Sequence, residues 1–193
     1  MSTQNFSIDC LDVLCPDGSL GAAGVSNKFC DEPEQSEVNS LVMWHPTLGT
    51  APLNWGPSMV LADFTIDNSN ADDTAQKRFF GRGNLAASES LEVTTNDFNQ
   101  AQLRRTFTLN FVIFNVNQAT RDYFRKIQCG KVKPYFDYTT VEQNIFGADG
   151  GIKPTRYNID MPLEEGEESI EQITVEIQWK ARVSPDKFPS PLE

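Results

Sequence analysis

A single histidine, His45, serves the whole chain of 193 residues, and it sits directly before Pro46. Nucleophilic catalysis by Ser or Cys ordinarily relies on a nearby imidazole, and no glycine-rich nucleophile elbow accompanies this one, so triad-type hydrolysis finds no candidate residues. Cysteine is scarce as well, with Cys10, Cys15, Cys30 and Cys129 spread along the chain. Their gaps lack the tight pairing of a zinc site, with only His45 near enough to complete one, and they are expected as free thiols. No run approaches the ~20 apolar residues of a membrane span. The opening MSTQNFSIDC has neither the basic flank nor the apolar stretch of a secretion signal, which implies a chain made and kept in a cytoplasm, with no membrane partner.

Basic charge is in short supply: 16 Lys and Arg stand against 27 Asp and Glu, for a formal net charge of −11 and a pI near 4.5. Such a chain does not hold nucleic acid by neutralising phosphates. It remains compatible with DNA that must slide past without sticking, because like charges repel over a Debye length of about 8 Å at physiological salt. The same acidity also serves solubility. The acids themselves fall in runs at 31–37 and 164–171, which lack the alternate spacing around a glycine that a calcium loop needs. GRGN at 81–84 lacks the Lys and Ser/Thr of a phosphate loop. No catalytic residue, metal or cofactor is therefore expected, and the chain reads as something other than an enzyme.

What is abundant is β-strand pattern and phenylalanine. Thirteen Phe and three Trp supply large apolar area in few positions, enough for a core in a chain of this length. The first forty residues, punctuated by Pro16, Gly18, Gly21 and Gly24, read as an irregular arm or long loop with a possible strand at 6–14. A β domain is expected over 41–184, followed by a Pro-rich tail, 185–193, in which Pro185, Pro189 and Pro191 remove ladder donors. Within the domain, 41–45 is a compact apolar run. At 59–67, Val60, Ala62, Phe64 and Ile66 alternate as in a strand. Phe79 and Phe80 beside GRGN suggest an aromatic anchor next to a flexible turn, 90–95 (SLEVTT) a short strand, and NDFNQ a turn.

The last ninety residues carry the clearest pattern. In 104–115 (RRTFTLNFVIFN), Phe107, Leu109, Phe111 and Ile113 share one face. A helix over about 117–128 follows, capped by Asn115 or Asn117, with Ala119, Tyr123, Phe124 and Ile127 at helical spacing and Gly130 to stop it. Strands interrupted by Pro134 and Pro154 come next, and Pro134 should push its strand to a sheet edge. In the final strand Ile173, Val175, Ile177 and Trp179 alternate with Thr174, Glu176, Gln178 and Lys180. The fold class is thus mainly β: an antiparallel β-sandwich or barrel with one flanking α-helix and an irregular N-terminal arm.

The order of SLEVTT, RRTFTLNFVIFN, NQATRDYFRKIQ, KVKPYFDYTT, GGIKPTRYNID and SIEQITVEIQWKARV resembles the bacteriophage tail tube protein family over about half of the chain. That resemblance implies a structural protein of the virion, assembled in the host cytoplasm. Its subunits would form hexameric rings, with inner sheets joined into one barrel. The rings would stack into a conduit, contacting other virion proteins and passing DNA without specific binding. On this reading Phe107, Leu109, Phe111, Ile113, Ile173, Val175, Ile177 and Trp179 mark self-assembly strands. Glu164, Glu165, Glu167 and Glu168, or the wet face of an inner strand, would face the lumen, and the arm would reach an adjacent ring. Two alternatives stand beside it: a neck or head-completion protein, and a β-sandwich module binding a glycan or protein through Trp44, Trp55 and Phe80.

Overall fold

The computed structural model describes residues 37–95, 99–114, 116–130, 132–162 and 171–192. The arm up to residue 36, including Cys10, Cys15 and Cys30, and the acidic turn with Glu164, Glu165, Glu167 and Glu168 lie outside them. Among the described residues nine strands form one antiparallel sheet: β1 (Val38–Trp44), β2 (Lys77–Leu85), β3 (Glu89–Thr95), β4 (Asn99–Phe114), β5 (Tyr135–Thr140), β6 (Asn144–Gly147), β7 (Arg156–Asp160), β8 (Gln172–Ala181) and β9 (Asp186–Pro189). Their order is β7-β8-β4-β2-β1-β5-β6-β9, with β3 paired to β4. Among the described residues there is one α-helix, α1 (Gln118–Gln128), between β4 and β5. The mainly antiparallel β class with a single helix is the one the sequence implies.

The sheet coils back on itself. Phe136 of β5 and Trp179 of β8, four strands apart in the order, meet edge to face at 5.5 Å between ring centroids. The inward side chains of β4 and β8, Phe107 to Ile113 and Ile173 to Trp179, fill the enclosed core together with Leu41, Met43 and Phe136. Burial of each such side chain is worth about 1.5–3 kcal/mol, which is why these two alternating strands anchor the domain. Helix α1 adds Phe124 and Ile127 to this core, and Phe124 packs against Phe79 at 5.0 Å. Asn117 caps α1 by accepting the Thr120 N–H at 2.8 Å, and Gly130, at φ 72°, turns the chain out.

A second core lies on the opposite face of β1, where Val42 and Trp44 meet Met59, Phe64, Ile145 and Leu192. β1 is therefore buried on both sides, which explains its compact apolar run rather than a clean alternation.

Four expectations change. Residues 59–67 do not form a strand: Asp63 accepts the Val60 N–H at 2.8 Å and the Asn54 side-chain N–H at 2.7 Å, and a short 3-10 turn, Leu61–Asp63, forms instead. Pro134 does not put β5 at an edge, because the strand starts one residue later and lies between β1 and β6. The Pro-rich tail is not loose, since β9 pairs with β6 and Leu192 is buried; Pro189 is tolerated because β9 is an edge.

Finally, GRGN is strand rather than turn. Gly81 and Gly83 lie under the ring of Phe111, where an added Cβ would come within 2.8 and 2.7 Å of ring carbons and closer still to β4 carbonyls. Glycine is required there for the approach of a side chain, not for a bend. Gly83→Ala is expected to lower unfolding stability by about 1–3 kcal/mol, the usual cost of overpacking, in urea melts of the purified chain. A substitution that leaves the midpoint unchanged would show that β2 and β4 are not this close.

Candidate functional site

β4 and β8 pair over ten residues, from Arg105 with Ala181 to Phe114 with Gln172. Over this length β4 is flanked by β8 on one side and by β2 and β3 on the other. The side chains expected to mediate self-assembly, Phe107, Leu109, Phe111, Ile113, Ile173, Val175, Ile177 and Trp179, are all buried inside the chain's own core. Within this chain these side chains pack in its own core and the β4–β8 ladder is paired.

What remains free is the far end of β4. Residues 99–104 extend past the last β8 pair at Arg105 and are matched only by β3, Leu91 with Arg104 through to Thr95 with Asn99, with a bulge after Leu91. This is a two-stranded ribbon running beyond the sheet, and neither of its outer edges is paired with another strand among the described residues. Residues 96–98 lie outside the described residues. The sequence placed a turn at NDFNQ but began the following strand five residues too late, because 99–103 (NQAQL) has no apolar alternation. The short spacing between SLEVTT and that strand was the available signal for a hairpin.

The other edges of the sheet are protected. β7 is flanked by the end of α1 and the segment after it: Gln128 of α1 donates to the Ile159 carbonyl of β7 at 3.2 Å, Lys133 Nζ to the Thr155 carbonyl just before the strand at 2.6 Å, and Tyr157 Oη of β7 to the Pro134 carbonyl at 2.9 Å. β9 is short and carries Asp186, Lys187 and Pro189, which blunts it as an edge.

The convex face of β7-β8-β4-β2 is open. Cross-strand rows place Arg82, Val112, Thr174 and Asp160 in one line, and Asn84, Asn110, Glu176 and Asn158 in the next. Thr108, Gln178 and Arg156 follow. The row charges nearly cancel and hydroxyl and amide groups dominate, so this surface is polar without being strongly acidic.

The remaining candidates resolve one by one. Trp44 is buried and Trp55 packs edge to face on Phe188 at 5.8 Å. Of the three aromatics considered for ligand binding, Phe80 alone is exposed. His45 is a local turn cap, its Nδ1 accepting the N–H groups of Thr47 at 3.2 Å and Leu48 at 3.1 Å. Cys129 is a free, exposed thiol, and no group of three metal-ligating side chains occurs among the described residues.

One polar group missed by the sequence reading is Asp137 of β5. It is fully buried on the second-core face, and neither carboxyl oxygen has a hydrogen bond of acceptable geometry. Burial pushes its pKa well above the ordinary carboxylate range, and the nearby amides of Ala148 and Ile152 counter this only in part. Gly147 closes over it, leaving no room for a Cβ.

Comparison with known protein families, with curated proteins and with solved structures finds no match to the chain.

Because folding raises the pKa of Asp137, its protonated form favours the native state. The stability it contributes is full below the carboxyl's unfolded pKa, about 3.9, and is lost as pH rises through the raised folded value. Asp137→Asn is expected to raise the urea midpoint at pH 8 relative to the parent, with the two curves converging below about pH 4. A constant difference across that range would assign the effect to packing rather than to charge.

Proposed function

We propose that this chain is a structural subunit of a bacteriophage virion, of the tail tube type, which assembles with copies of itself into stacked rings around a passage for DNA. The observation that carries this reading is the β3–β4 ribbon. A two-stranded ribbon is marginal by itself in water and presents unpaired backbone donors and acceptors along both sides. Among the described residues the other sheet edges are flanked or blunted, and on this reading the exception is where another polypeptide is met. Identical copies are the economical partner, since closed rings arise when one patch of a subunit meets a different patch of the next.

Two further features support the reading. The open convex face offers neutral hydroxyl and amide groups, which hold a passing polyanion weakly, while the net charge of −11 opposes its adsorption elsewhere. The order of strand, helix and paired C-terminal strands matches the arrangement on which the resemblance to tail tube proteins rests. A ligand-binding role for Trp44 and Trp55 loses its basis, because both are engaged in packing.

Negative-stain electron microscopy of the purified full chain tests this directly. The expected result is rings that stack into tubes as concentration rises. Monodisperse small particles at high concentration would overturn it, and rings that never stack would shift the role to the neck or head-completion position. Replacing 92–102 by a two-residue Asn-Gly turn should leave the body folded, because 105–114 keeps its partners on both sides, and should abolish stacking. Tubes of unchanged length from that variant would remove the ribbon from the interface.

A further inference from the structure

β9 sits far across the sheet from the strand that precedes it in sequence. β8 is second in the sheet order and β9 last, on the outer side of β6. The exposed residues Arg182, Val183 and Ser184, followed by Pro185, link the two. The attachment of β9 is small: it pairs over four residues, Asn144 with Pro189 to Gly147 with Asp186, whereas β4 and β8 pair over ten. No residue of 182–192 belongs to the main core, so that core is complete without this segment.

What holds the segment is a row of seats along β6 and the second core. Phe188 packs edge to face on Trp55 at 5.8 Å. Leu192, four residues on, is buried in a cluster with Val42, Trp44, Met59, Phe64 and Ile145. Ser190 N–H donates to the Gln143 carbonyl at 2.6 Å, and Arg78 Nη2 to the Leu192 carbonyl at 3.5 Å. Backbone pairing combined with apolar seats for spaced anchors is how an extended peptide adds to a sheet edge. The occupant that fits this edge is therefore visible in the structure: a segment of the form Phe-Pro-Ser-Pro-Leu, residues 188–192.

Two features allow the segment to leave and return. Pro185, Pro189 and Pro191 keep it extended whether it is docked or not, so less freedom is lost on docking. Its seat also encloses an unfavourable group. The Trp55 ring and the Asp137 carboxyl both lie against Gly147 of β6, and neither Asp137 oxygen has a hydrogen bond of acceptable geometry. A buried carboxyl without partners destabilises whatever encloses it. That cost falls on the β6–β9 edge and lowers the free energy of opening it.

The docked contacts are the same whichever copy supplies the segment, because the same residues meet the same seats. Exchange of an identical element between copies is for this reason a low-cost route to association. A copy's own segment prevails at low concentration, and a neighbour's competes as copies are brought together.

We propose that the 186–192 segment exchanges between copies, the β6 edge and second core of one subunit receiving β9 and Leu192 of another. This rests on the self-assembly reading above and names a contact between copies distinct from the β3–β4 ribbon.

The test uses full-length chains in which Cys10, Cys15, Cys30 and Cys129 are replaced by serine. One chain carries Asn144→Cys on β6 and the other Pro189→Cys on β9, a directly opposed pair. Opposed residues on antiparallel strands are close enough for a disulfide, and with one cysteine per chain it forms only between copies. The two chains are mixed at high concentration in a thiol–disulfide buffer and resolved by non-reducing electrophoresis. The mixture is expected to give roughly tenfold or more covalent dimer than either chain alone. Adding Phe188→Ser and Leu192→Ser to the Pro189→Cys chain should return the yield to that of the single chains. A chain with both Asn144→Cys and Pro189→Cys, kept dilute, should close the bond internally, which verifies the register.

Internal closure in the double variant with no excess dimer from the mixture would overturn the exchange, and rings from the parent chain would then leave the self-assembly reading standing. Dimer that survives loss of Phe188 and Leu192 would also overturn it, because the seats would not be directing the contact. Seat-dependent dimer from a parent chain that forms no rings would support the exchange and overturn the ring-forming reading instead.

Discussion

The long strand β4 is the constraint on which the rest of the domain depends. Among the described residues it is the only strand that pairs with three others, β2, β3 and β8, and its inward side chains supply four members of the main core. The close approach of Phe111 to Gly81 and Gly83 sets how near β2 can lie. That spacing carries β1, β5, β6 and β9 in turn, because each hangs on the previous ladder. α1 follows β4 after a short connection and covers part of the core that β4 helps to form. Register is strongly specified throughout, since a one-residue slip would turn Phe107, Leu109, Phe111 and Ile113 to solvent at once.

This arrangement also decides which surfaces are left over. The same strand that is doubly paired at 105–114 becomes half of an isolated ribbon at 99–104, so the stable body and the projecting element are one continuous strand. On the opposite face of the sheet, the loop between β1 and β2 packs Met59 and Phe64 against Val42 and Trp44 of β1. Asp137, buried in the second core, has its pKa raised by desolvation, so burial there favours its neutral form.

Much of the fold was legible because its signals are local. The period-two alternation of β8, the helical spacing of Tyr123, Phe124 and Ile127, and the Asn117 cap all operate within a few residues. The reading failed where distant groups intervened. The 59–67 segment alternates like a strand, yet Asp63 gathers Val60 and Asn54 into a turn. GRGN has the composition of a bend, but a ring from β4 lies over it. Asp186 to Pro189 looks like a terminal tail, and the free edge of β6 recruits it.

For the candidate surfaces the division is similar. Alternation identified Phe107 to Ile113 and Ile173 to Trp179 as important faces, but periodicity reports that a face is buried and not against what. Composition alone determined that this chain is acidic, β-rich and poor in imidazole and thiol groups. Only the tertiary structure decided that both amphipathic strands are consumed within one copy, and that the free ladder lies in the polar stretch 99–104. The reason is physical: amphipathicity is a property of a segment, whereas exposure depends on which neighbours the closed sheet has already placed beside it.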